Sequence, residues 1–218
     1  MQEQLGLELE SQQANGEFLA VDRVEHPTAD WTPDMMSPRQ AATRDEDLAL
    51  LAFYRGDAPD WNGRTLEEIW SWSDDWLEGV HDYIQWMFPL SVRSGANPAA
   101  PVLGPMTLEA FGSSDALRER LERSLRVMLR FYGFEETRTA GARRIVRSDR
   151  FRERARVWLS PGNHNHLRLT RIMTSLGELG LSAQARALWE CLSQIGADFP
   201  DRVTATTLAY WRAAARSL

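Results

Sequence analysis

Lysine is absent from this chain. All 25 basic residues are arginine, set against 31 acidic residues and four histidines, for a net charge of −6. Every side-chain cation apart from histidine is therefore a planar guanidinium, a fork that suits carboxylate and phosphate. Together with the Ala-rich C-terminal stretch, this usage reads as the codon bias of a GC-rich bacterial genome. Cysteine is nearly absent as well. Cys191 stands alone, which excludes an intramolecular disulfide and fits a reducing, cytoplasmic setting. Nowhere do about 18 consecutive apolar residues occur, so no membrane-spanning helix is expected. Residues 1–6 lack the basic and apolar segments of a secretory leader. Catalytic signatures are missing too: there is no Gly-x-Ser-x-Gly elbow, no P-loop and no Gly-x-Gly-x-x-Gly. His164 and His166 have neither paired cysteines nor a His-Glu-x-x-His motif to accompany them, so no metal is expected, and no cofactor.

What is abundant is tryptophan. Nine Trp in 218 residues with 43% hydrophobic content point to one domain with an aromatic core, because Trp offers the largest burial of any side chain and an N–H in need of a partner. Residues 1–42 carry little periodicity and read as an irregular arm. Thr43-Arg44-Asp45-Glu46 is a capping box opening a helix that ends near Gly56, and Thr65-Leu66-Glu67-Glu68 is a second box. After a break around residues 73–75, Trp76, Val80, Tyr83, Ile84, Met87 and Phe88 recur at spacings of three and four. They predict a continuous inward-facing helix closed by Pro89. Residues 91–106 read as loop, with Thr107 capping a short turn. Ser114 or Asp115 opens a long helix to Gly133, with Glu119–Arg123 and Glu122–Arg126 pairs outside. Residues 137–147 show no pattern. Further helices are expected over 149–159, 166–179, 182–196 and 201–216. No alternation of period two stands out. The expected fold is all-α: a compact antiparallel multi-helix bundle over residues 43–218, behind the irregular arm.

Charge is unevenly placed. Residues 57–82 hold eight acids against Arg64, and residues 138–156 hold eight arginines against Asp149 and Glu153. Two solvated surfaces of opposite sign, facing each other, account for this. A basic strip for phosphate or nucleic acid is the alternative, weakened by the negative net charge and by the lack of aromatics beyond Phe151.

The densest segment is His81-Asp82-Tyr83-Ile84-Gln85-Trp86-Met87-Phe88-Pro89-Leu90, with three aromatics, a His, a Gln and a helix-stopping Pro. Other blocks share an order with it: Phe53-Tyr54-Arg55-Gly56, Asn62-Gly63 ahead of Glu67-Glu68-Ile69, Met128-Leu129-Arg130-Phe131-Tyr132-Gly133, His164-Asn165-His166-Leu167-Arg168-Leu169-Thr170-Arg171-Ile172, and Ser175-Leu176-Gly177-Glu178-Leu179-Gly180-Leu181. Over residues 53–195 the chain thereby resembles the conserved domain of the opioid growth factor receptor family. The resemblance implies a helical domain that spans no membrane and binds a ligand or partner, like the binding portion of an animal receptor for an enkephalin pentapeptide. It does not extend to that receptor's C-terminal repeats or nuclear-targeting tract, so a cytoplasmic rather than nuclear location is expected. The family pattern often has Asn where His166 stands.

Two constellations could carry binding. On the aromatic helix, His81, Tyr83, Gln85 and Trp86 offer an apolar pocket with a few placed polar groups, the usual build of a ligand site. The alternative is a bundle core with satisfied polar side chains. On a later helix, His164, Arg168, Arg171 and Ser175 share one stripe at spacings of four, three and four. Its arginines could hold a carboxylate or phosphate, or belong to an internal salt-bridge network with Glu178. The expected function is a non-enzymatic binding domain for a peptide, a protein or a small anionic ligand, held by His81, Tyr83, Gln85, Trp86, His164, Arg168 and Arg171. An enzyme using His81 or His164 with Arg168 and Arg171 is the runner-up. Nucleic-acid binding through residues 138–156 comes third. The sequence leaves the oligomeric state open.

Overall fold

Thr43 accepts a hydrogen bond from the Glu46 N–H and returns its own N–H to the Glu46 carboxylate, and this box opens α1 (Arg44–Arg55). A computed structural model describes residues 42–139 and 141–216. The arm expected over 1–42 lies outside them, apart from Ala42. The Thr65 box opens α2 (Leu66–Ser71) as its sequence predicts.

The continuous helix expected over 76–88 is instead two short pieces, α3 (Asp74–Gly79) and α4 (Ile84–Met87). Val80 turns extended and ends α3. Trp76, expected inward, faces solvent with 61% exposure. Leu77, Tyr83, Ile84, Trp86, Met87 and Phe88 are buried, so the apolar spacing survives the break although the helix does not. The turn expected from Thr107 is a full helix, α5 (Pro105–Ser113), with Gly104 as its N-cap. Its first N–H groups go to a side chain far away in sequence: Asp47 of α1 accepts from Met106 and Thr107 at 2.8 and 3.0 Å, and Thr107 Oγ1 donates to the Asp47 carbonyl.

Ser114 caps α6 (Asp115–Tyr132), whose face Leu117, Leu121, Leu125, Met128, Leu129 and Tyr132 is buried. Glu122 and Arg126 meet at 3.6 Å. Arg123 instead lies over the Trp70 ring at 4.2 Å. Gly133 closes α6 at φ 80°, where a Cβ would fall 2.7 Å from the Phe151 Cα; only glycine fits both demands.

Residues 137–139 and 142–147, in a stretch expected to lack a pattern, belong to β1 (Phe134–Thr139) and β2 (Ala142–Arg147), paired antiparallel with Phe134 opposite Arg147 and Arg138 opposite Arg143. No alternation announced this pair, because Phe134 and Ile145 are its buried residues while its other described side chains are partly or fully open. Among the described residues the fold is therefore mostly helical with one small sheet rather than strictly all-α. Four helices complete it: α7 (Phe151–Trp158), α8 (Asn165–Glu178), α9 (Ser182–Asp198) and α10 (Ala205–Arg216). Gly196 does not stop α9; it makes room for Leu208 of α10, whose Cδ2 would lie 2.6 Å from a Cβ there.

The last three helices pack on one another, and β2 lies against α9. Tyr54, Tyr83, Phe88, Phe111, Tyr132, Trp158 and Trp211 fill the centre. Buried indoles find acceptors: Trp70 donates to Ser124, Trp158 to the Tyr132 carbonyl and Trp211 to the His166 carbonyl. Cys191 is buried beside Leu192, as its helical position implies. Among the described residues, no helix is long and apolar enough to cross a membrane.

Candidate functional site

The break between α3 and α4 leaves carbonyls without intrahelical donors, a cost that some side chain must meet. Arg168 of α8 meets it. Its Nη1 donates to the Leu77 carbonyl at 2.8 Å and its Nη2 to the Val80 carbonyl at 2.9 Å. The guanidinium is buried, lies 3.9 Å from Glu78, and sits 5.6 Å from the Tyr83 ring centroid. One turn on, Arg171 donates to the Phe88 carbonyl at 3.1 Å, just past the end of α4. Burial pulls its pKa down to about 10, against the opposing Glu178 carboxylate, so it stays charged at neutral pH. Glu178 itself accepts from the Ser91 N–H and hydroxyl. The stripe on α8 is thus a polar seam against residues 77–91, with its cations placed at helix C-termini as the backbone dipole favours.

The aromatic residues lie under that seam. Tyr83 donates its hydroxyl to the same Leu77 carbonyl at 3.0 Å, and burial raises its pKa to about 12. Trp86 is buried and stands edge-on to Phe53 and Trp61, both at 5.2 Å. Gln85 is buried with no donor for its Oε1 among the described residues, and the Ser175 hydroxyl is likewise unmatched.

At the seam's outer end the two histidines meet. His81 is exposed, and its ring lies 5.0 Å from that of His164. His164 Nε2 is 3.6 Å from Glu78, and burial, with the nearby Arg168 charge, lowers its pKa. His166 points elsewhere, its ring packed 6.3 Å from Trp158 and 5.4 Å from Trp211. Burial takes its pKa down to about 4. Among the described residues, no three His, Cys, Asp or Glu side chains converge as a metal would require.

Sequence reasoning passed over the surface beside this pair. Trp61 is 55% exposed, and Trp76 and Leu167 are also open. Asn62 and Arg64 both reach Asp82 at 2.7 Å, which ties the Trp61 turn to the residue next to His81. Arg64 lies 5.8 Å from the Trp72 ring, and Trp72 is 5.9 Å from Trp76. Contacts therefore run from Asn62 and Arg64, which follow Trp61, to Asp82, and from Arg64 through Trp72 to Trp76. The usable signal was Asp60-Trp61-Asn62-Gly63, a turn sequence with an indole inside it, since turns face water.

The two charged stretches do meet, at Asp74, which Arg150, Arg154 and Arg130 approach at 2.8, 3.5 and 3.8 Å. Arg143 is bound to Glu122 and Glu136, and Arg147 to Asp198. Half of the eight arginines in 138–156 are thus engaged within the fold.

The sequence profile of the opioid growth factor receptor conserved region matches residues 43–216. The rat opioid growth factor receptor is 45% identical over 142 residues, covering 62% of this chain and 23% of the relative. The human receptor is 42% identical over 142 residues, covering 62% and 20%. The mouse opioid growth factor receptor-like protein 1 is 36% identical over 138 residues, covering 62% and 29%. The chain thus spans less than a third of the length of these relatives. They are animal proteins and give the expected bacterial origin no support. No solved structure matches. By the profile match over most of its length, the chain belongs to the opioid growth factor receptor conserved-region family.

Proposed function

We propose that the chain is a non-enzymatic, receptor-like binding domain for a peptide segment, and that its binding face is the outer end of the seam. His81 and His164 make contact there, joined by Trp61 and Trp76. Tyr83, Gln85, Trp86, Arg168 and Arg171 act beneath them as positioning residues. The observation that carries this is the exposure of Trp61 and Trp76 on the same stretch of chain as the exposed His81, in a family that includes proteins named as receptors. Exposed aromatics with polar neighbours favour peptide side chains such as Tyr or Phe. A small anion is less well served, because Arg168 and Arg171 already serve backbone carbonyls. The same engagement weighs against catalysis by His81 or His164 with these arginines. Cytoplasmic residence belongs to this proposal and rests on the single, buried Cys191.

The test is fluorescence anisotropy of the full chain with a labelled enkephalin pentapeptide and a panel of Tyr- and Phe-bearing pentapeptides. Saturable binding, weakened about tenfold or more by Trp76→Ala or His81→Ala, supports the proposal; losses of that size match interface aromatics. Equal affinity in parent and variants, or no binding across the panel, contradicts it.

A further inference from the structure

A groove of about 480 Å³ lies beside the hairpin. One wall is a single face of α6, formed by Glu122, Arg126, Leu129 and Arg130. The other is Phe134, Glu135, Glu136, Thr137 and Arg138, five successive residues of β1, with Arg143 of β2 reaching in toward Glu122. Side chains alternate between the two faces of a strand, so a wall of consecutive residues takes in the backbone edge of β1 as well as its side chains. The sheet has two strands among the described residues. In an antiparallel pair, alternate residues turn their N–H and C=O away from the partner strand. Among the described residues, the backbone of 134–138 makes no hydrogen bond to any segment but β2. Among the described residues, a row of backbone donors and acceptors without partners therefore borders the groove.

The side chains define what fits. Arg138 stands directly opposite Arg143 in the register, and like charges so placed repel. Arg143 is satisfied by Glu136 at 2.6 Å and Glu122 at 3.3 Å. Arg138 is exposed and has no carboxylate partner among the described residues. On the facing wall, Arg126 is half exposed and held by Glu122 only at 3.6 Å. Leu129 and Phe134, both buried, provide an apolar floor. The groove thus combines a strand edge unpaired among the described residues with two under-neutralised guanidiniums, one on each wall, against one exposed carboxylate, Glu135.

We propose that this groove is a second interaction surface, taking an acidic, extended segment of a partner protein that pairs with β1 as a third strand and sets its carboxylates against Arg138 and Arg126. Main-chain pairing supplies the affinity and the arginines select the charge, the division of labour usual in strand addition. The proposal does not depend on the reading given for the histidine and tryptophan end.

The test uses the full chain and a dye-labelled hexapeptide alternating Glu and Val, acetylated and amidated at its ends. Its controls are the same peptide with Gln for Glu and a version N-methylated at alternate backbone nitrogens. Binding that weakens about tenfold or more with the Gln peptide and with Arg138→Glu, and disappears with the N-methylated peptide, supports the proposal. So does slowed amide exchange at residues 135–138 in the complex. Arg126→Gln, checked for fold by circular dichroism, gives an independent second reading of the charge. Four results overturn the proposal: equal binding of the N-methylated peptide, affinity untouched by either arginine variant, no binding up to millimolar peptide, or displacement by an oligothymidylate that binds more tightly.

Discussion

Arg168 donates to the Leu77 carbonyl at 2.8 Å across 91 residues of sequence. The same carbonyl accepts the Tyr83 hydroxyl, so one oxygen at the end of α3 joins the aromatic segment to the arginine stripe of α8. A backbone break that would otherwise strand polar groups in the interior becomes a fixed turn, and that turn carries His81 to the surface beside His164.

Replacing Arg168 by Met therefore removes the donor of the Val80 carbonyl, one of the two donors of the Leu77 carbonyl, and a buried charge beside Glu78. The expected loss is about 3–5 kcal/mol, read as a lower urea midpoint with an unchanged slope. Arg168→Lys keeps the charge but not the fork, and recovers less than half of the loss. A Met variant as stable as the parent contradicts the role given to this residue.

Two tryptophans ten residues apart should respond in opposite ways. Trp86 is packed edge-on against Phe53, and Trp86→Ala costs about 3–5 kcal/mol. Trp76 is largely open, and Trp76→Ala stays within about 0.5 kcal/mol of the parent. Thermal or urea unfolding of both variants decides the matter, and similar losses for the two refute the placement of α3.

His166 makes stability depend on pH. The unfolded chain takes up its proton near the ordinary value of 6.5, whereas the folded chain resists until about 4. Between those values the unfolded state binds more protons, so stability falls as the pH falls, by about 3 kcal/mol across the window, and His166 adds no further loss below it. His166→Asn removes this component while the backbone carbonyl remains to accept from Trp211. Urea midpoints at about pH 4.5 and about pH 7.5 should therefore lie closer together in the variant. An unchanged gap speaks against a neutral, buried imidazole.

Gly133→Ala confronts both a left-handed backbone and the Phe151 main chain. The left-handed conformation alone costs about 1–2 kcal/mol in an L-residue, and crowding adds about 1–3 kcal/mol more. A loss below about 1 kcal/mol in urea unfolding means that the start of β1 is free to shift.

What could be read in advance was what the local chain decides. The Thr43 and Thr65 boxes, the Ser114 cap, the stop at Gly133 and the inward face of α6 are all written within a turn or two of where they act. Distant partners decided the rest. The break in the aromatic helix is stabilised from α8, and the start of α5 is capped by Asp47, 60 residues before Thr107. The hairpin buries too few side chains to alternate. Of the candidate binding residues, His81 and His164 come together, as do Tyr83 and Arg168, because the break allows it. Trp61 and Trp76 were missed because an indole's exposure depends on tertiary neighbours, and Trp76 falls on the same spacing as its buried companions.

The most direct test of the central claim, that a buried seam presents an open aromatic and histidine edge to a peptide, is a two-dimensional NMR titration of the full chain with nitrogen-15 in its indoles. A peptide that binds should shift the Trp61 and Trp76 N–H signals and leave those of Trp158 and Trp211 in place. Shifts confined to Trp158 and Trp211, or binding with Trp61 and Trp76 unmoved, would contradict it.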